Sequence, residues 1–171
     1  EDTTVEHEGM VQYDTTDWDF IVKRANAAGQ LVYTDNGALV TVTPTIAETG
    51  DHTLLWGDEL IEFEAEMDAR NQFSDVVLKS WDSSKQEVLE EELSTLDGIK
   101  LDQPGNISTD DLAKITNEDG LNIHYPGALS AGDQKNFVKA ELIKSKLARI
   151  HGRACFAGPT MVTPRKTLGL Q

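Results

Sequence analysis

The sequence predicts an α+β fold: a small helix-plus-hairpin unit, followed by strands of a sheet or barrel wall with an inserted segment and one long helix. Three observations predict it. A capped helical pattern precedes an Asn-Gly hairpin signal near the start of the chain. A run from Ile61 to Arg70 alternates apolar and charged residues with a period of two. A helical apolar stripe over about 131–148 then leads into renewed strand-like sequence. With 171 residues there is room for one ordinary domain or two small ones. The division expected is 1–52 for the helix-plus-hairpin unit and 53–171 for the barrel-like part, with an insertion at about 94–130.

The first helix is expected at about 17–28. Thr16 stands where an N-cap is needed, Asp19 occupies the capping-box position three residues on, and Asp17 and Asp19 suit the positive helix N-terminus. Trp18, Ile21, Val22 and Ala25 follow the spacing of one buried face, and Gly29 is placed to stop the helix in a left-handed conformation. A hairpin at about 31–43 follows, because Asp35-Asn36-Gly37 separates two β-rich runs and Pro44 closes the second. Ile61, Phe63, Ala65, Met67 and Ala69 then alternate with Glu62, Glu64, Glu66, Asp68 and Arg70, giving a strand with one apolar and one charged face. Further strands are expected at Asp75–Trp81 and Gln86–Glu92.

The segment 94–130 carries turn signals at Asp97-Gly98 and Gln103-Pro104-Gly105-Asn106. Within it, Thr109–Ile115 suits a short capped helix and Leu121–Tyr125 a strand. The long helix is expected to start after Ser130, with Phe137, Ala140, Ile143, Leu147 and Ile150 as its apolar stripe, widened by Val138 and Leu142. Lys135, Lys139, Lys146 and Arg149 fall on a flanking basic face. A turn at Gly152 leads to a strand at Arg153–Ala157, Gly158-Pro159 breaks it, and Thr167–Leu170 begins another.

Charge is distributed unevenly. The net charge is −15, but residues 1–130 carry 28 acidic and 7 basic side chains, whereas residues 131–171 carry 2 acidic and 8 basic. So acidic a body repels phosphate backbones, which argues against nucleic acid as a partner. The basic remainder suits either a bound anion or, the expectation preferred, acidic residues of its own chain or of a neighbouring subunit. No apolar run approaches the roughly 18 residues of a membrane-spanning helix, and no signal-peptide pattern opens the chain. The absence of an initiator methionine predicts an excised or processed piece. Cys155 has no cysteine to pair with inside the chain and is expected as a small buried hydrophobe.

Catalytic chemistry finds little support. Successive carboxylates among Glu62, Glu64, Glu66 and Asp68 project about 7 Å apart on one strand face, near a glycosidase spacing. A general acid, however, needs an apolar pocket to keep its proton, and an open acidic face provides none. His7, His52, His124 and His151 show no metal-ligand spacing, His52 and His151 reading as turn residues and His124 as a strand residue. Ser83-Ser84-Lys85 reads as a loop, no phosphate-binding glycine pattern occurs, and Asn117, Asp119 and Gly120 lack the ligands that complete a calcium loop. The expectation is therefore a protein with no catalytic residue, no metal and no cofactor. Its alternatives are a carboxylate-dependent polysaccharide hydrolase and a stand-alone protein-binding adaptor module.

Three segments are more specific. Val11–Ala25 with Gly29, then Leu60–Gln72, then Leu147–Ala154 resemble, in this order, the hub region of the VgrG or Rhs-element Vgr family of type VI secretion spikes, itself similar to phage-tail baseplate hubs. The resemblance implies that the part after the helix-plus-hairpin unit is a split antiparallel β-barrel-like domain, and that the protein is a structural, non-enzymatic component of a contractile injection machine. It implies a homotrimer in the intact protein, an Hcp-like tube protein as partner, and C-terminal spike and effector modules beyond the hub. It also implies assembly in the bacterial cytoplasm and export with the spike. On this reading Glu62, Glu64, Glu66 and Asp68, with Lys135, Lys139, Lys146 and Arg149, are the candidate assembly-surface residues.

Overall fold

A computed structural model describes residues 5, 7, 9–46, 50–101, 106–116, 120–158, 162, 164 and 166–170. The expected turn at 103–105, the calcium-loop residues Asn117 and Asp119, and Pro159 lie outside them. Among the described residues three helices and nine strands follow one another in the order α1 (Asp17–Ala27), β1 (Leu31–Asp35), β2 (Ala38–Val42), β3 (His52–Leu54), β4 (Leu60–Met67), β5 (Asp75–Asp82), β6 (Glu87–Leu93), α2 (Thr109–Thr116), β7 (Gly120–Tyr125), α3 (Ala131–Leu147), β8 (Ile150–Phe156) and β9 (Leu168–Leu170). The fold is α+β. Among the described residues the barrel-like part consists of separate small sheets: β3 with β9, β4 with β8, and the three-stranded β6-β5-β7.

Local chemistry explains the first unit. Thr16 Oγ1 accepts from the Asp19 amide at 3.1 Å and donates to the Asp19 carboxylate at 2.7 Å, satisfying the open end of α1. At the other end Gly29 takes a φ of +68°, a conformation a side chain resists, and it packs where a Cβ would stand 3.0 Å from Ile143 Cδ1. Asn36 and Gly37 both have positive φ, as a two-residue primed turn requires, and β1 and β2 pair from Leu31–Val42 to Asp35–Ala38. Trp18 departs from the expected buried face, being 48% exposed. The helix packs on β1 and α3, and Ala25 in its second half is the residue it buries.

The core lies between α3 and the sheet β6-β5-β7. Val76 and Leu78 of β5 meet Val138 and Leu142 of α3, all four excluded from solvent, with Leu93, Leu121, Ile123 and Phe137 packed around them. The centre of the buried α3 face is thus Val138 and Leu142, rather than the edge of a stripe running through Ile150. Ile150 belongs to β8, because α3 ends at Leu147. Ala140 and Ile143 are buried on a second side, beneath Gly29. Polar residues complete the contact: Gln134 Nε2 donates to Ser80 Oγ and to the Leu129 carbonyl, and Gln72 Nε2 donates to the Ser145 carbonyl at 2.9 Å. Such bonds are what make buried polar side chains tolerable.

Residues 94–130 are not wholly an excursion. Leu121–Tyr125, as expected a strand, pairs parallel with β5, while β6 pairs antiparallel on the other side. Ser108 and Asp111 cap α2 reciprocally, as in a capping box. The chain does not turn at Gly152. Instead β8 runs through it, and a Cβ there would collide with the Glu64 carbonyl oxygen, so glycine permits the close approach of the two strands. His52 and His151 are correspondingly strand residues rather than turn residues.

Candidate assembly surface

The alternating segment forms the strand expected, but in a different setting. β4 pairs antiparallel with β8 and, among the described residues, with no other named strand. Every β4 residue after Leu60 is exposed on both faces. One face carries Glu62, Glu64 and Glu66, set by register opposite Cys155, Arg153 and His151. His151 Nε2 lies 3.6 Å from Glu66 Oε2. The other face carries Phe63, Ala65 and Met67 opposite Ala154, Gly152 and Ile150. Ile61, Phe63 and Met67 are 56%, 45% and 41% exposed, and Trp56 nearby is 65% exposed. The strand with one apolar and one charged face is found as expected, and among the described residues no second layer covers the apolar face.

The eight candidate residues fall into two groups. Glu62, Glu64 and Glu66 line the ribbon, and Lys135 stands exposed on α3 with Lys139 half-buried. The other three are engaged inside the chain. Asp68 is gripped by Arg70, whose Nη2 donates at 2.7 Å, and these hydrogen bonds hold its carboxyl down at about 2. Lys146 Nζ sits 3.9 Å from Asp110. Arg149 is the correction: it is 6% exposed and donates to the Ile107 carbonyl, so it ties α3 to the segment before α2 instead of presenting charge to water. Nothing local in the sequence signals this, since Ile107 is brought in by tertiary folding.

Two hollows remain. One, about 540 Å³, lies beside α2 and is lined by Ser108, Asp110, Lys146 and Arg149. The other, about 600 Å³, lies between α1 and α3 and is lined by Phe20, Ile21, Ala25, Leu129 and Phe137, with His7 Nε2 2.8 Å from Arg24 at its rim. Neither contains Glu62, Glu64 or Glu66. No group of three or more metal-ligating side chains occurs among the described residues, and no helix of theirs is long and apolar enough to cross a membrane. Cys155, on the charged ribbon face, is half-buried rather than fully enclosed.

Comparison with known proteins gives the geometry a context. The family model described as the Alg8 N-terminal domain matches residues 1–171. No curated protein matches the chain. Among solved structures, the 43 kDa tail protein of prophage MuSo2 from Shewanella oneidensis superposes with a TM-score of 0.60 at 16% identity, covering 94% of this chain and 47% of that one. A tail protein from Neisseria meningitidis MC58 gives a TM-score of 0.41 at 17% identity, covering 74% of this chain and 35% of that one. The chain therefore spans about half the length of the Shewanella protein and shares a phage-tail-protein fold with it. The matching family model is not that of the Vgr proteins.

Proposed function

The chain belongs to the Alg8 N-terminal domain family, and on that premise we propose that it is a structural, non-enzymatic hub component of a contractile injection apparatus. In this reading it is VgrG-like: copies assemble as a homotrimer and dock on an Hcp-like tube, with spike and effector modules carried beyond the hub. Assembly takes place in the bacterial cytoplasm and export follows with the spike. The observation that carries the reading is the β4–β8 ribbon, charged on one face and uncovered on the other. It stands on a fold shared with a phage tail protein. Apolar surface left open beside a charged face is characteristic of a subunit contact. The hydrolase alternative gains no observation of its own, because Glu62, Glu64 and Glu66 all stand in water.

Light scattering of the chain, alone and with an Hcp-like tube protein, tests this. The expected result is the mass of three chains and a further complex with the tube; a single-chain mass with no tube binding would sink the reading. Glu64→Gln with Glu66→Gln should change the assembled mass while leaving thermal unfolding of the monomer unchanged. If the double variant unfolds the monomer, the acidic face serves folding rather than assembly.

A further inference from the structure

We infer that copies of this chain join by edge-to-edge strand pairing, the free edge of β4 in one copy meeting the free edge of β8 in the next. The inference rests on the self-assembly reading and specifies its contact. A two-stranded ribbon is marginal by itself, and a third strand is what usually stabilises it. Here β4 and β8 are eight and seven residues long, and each has one partner among the described residues. Among the described residues both edges therefore present unpaired backbone groups to whatever strand approaches.

The ladder shows which groups these are. The Asp68 amide donates to the Arg149 carbonyl at 2.9 Å, marking that pair as hydrogen-bonded. Alternation in an antiparallel pair then directs the amides of Glu62, Glu64 and Glu66 toward β8. Those of Phe63, Ala65 and Met67 point outward, as do those of Ile150, Gly152 and Ala154 on β8.

Charge selects the partner edge. Pairing β4 with a second β4 sets glutamates beside glutamates, and pairing β8 with β8 sets Arg153 beside Arg153, both unfavourable. Pairing β4 with β8 repeats between copies the Glu64–Arg153 and Glu66–His151 juxtapositions already present within one copy. That contact uses two different patches, so it is heterologous, and such contacts close into rings when the rotation permits. In the ring a continuous antiparallel sheet results, and the exposed Ile61, Phe63 and Met67 faces of successive copies come together on one side of it.

Proline placed at an outward-facing amide tests the contact without breaking the internal ladder. Ala65→Pro and Ala154→Pro are each expected to reduce the light-scattering mass to one chain while circular dichroism and thermal unfolding stay near those of the unaltered chain. Charge reversal provides a second, independent arm. Glu64→Arg and Arg153→Glu alone should each weaken association about fivefold, and combining the two in one chain should restore it, because every β4–β8 junction of the ring then carries opposite charges again. Proline and charge variants that keep the full assembled mass would overturn the edge pairing and leave the hub reading intact. An unaltered chain that stays monomeric yet binds the tube protein would overturn it too. Loss of tube binding in Ala65→Pro, with self-association unaffected, would assign the edge to the tube instead.

Discussion

Gly29 shows how much can depend on one missing side chain. Its φ of +68° and the backbone of Ala140, 3.2 Å from where a Cβ would stand, both exclude a substituent. Gly29→Ala should therefore destabilise the chain by about 1–3 kcal/mol, measured as a lowered urea midpoint. Asp51 acts at the same scale but over a longer span. Its carboxylate accepts from the Thr167 amide at 2.8 Å and from Lys166 at 3.3 Å. The Thr167 amide first, then Lys166, hold its pKa below the ordinary 3.8. A depressed folded value means that this contribution is complete above the ordinary value and is lost as pH falls through the lowered one. The hydrogen-exchange protection of the Thr167 amide, relative to its intrinsic rate at each pH, should accordingly fall on acidification below about pH 4, and Asp51→Asn should remove that acid dependence. Gly29 was legible from its place after a helical pattern. Asp51 was not, since no local spacing connects it to a residue 116 positions away.

Elements were legible where a local signal set them. The caps of α1 and α3 illustrate this, with Thr16 accepting from the Asp19 amide and Ser130 from the Asp133 amide. Thr16→Ala should cost about 1 kcal/mol. Leu142→Ala, which opens the core between α3 and β5, should cost about 2–5 kcal/mol; chemical denaturation distinguishes the two, and equal losses would contradict the placement of the core. The period of two in β4 correctly gave a strand, but periodicity reports which residues share a face, not whether anything covers it. The same limit explains α3. Gln134 and Ser145 are buried on it because Ser80 and the Asn71–Phe73 link bond to them, so a purely apolar count misplaces its inward face.

At the scale of the whole molecule, the uneven charge is partly reconciled within one chain. Lys146 faces Asp110, Lys166 faces Asp51, and Arg153 lies opposite Glu64. The order of elements could be read along the sequence; their partners could not, because β3–β9 and β4–β8 join segments far apart in it. That topology imposes a timetable on biosynthesis. The hairpin of β1 and β2 and that of β5 and β6 close as soon as they leave the ribosome, each from neighbouring residues. β4 emerges early with its glutamates and bare apolar side chains, and it waits until α3 has followed before β8 arrives; β3 waits longer still for residues 168–170. Because distant pairings form slowly, the nascent chain carries two orphan strands until those later segments have emerged. Alternating carboxylates along β4 keep the longer of them from sticking to its neighbours on the polysome meanwhile.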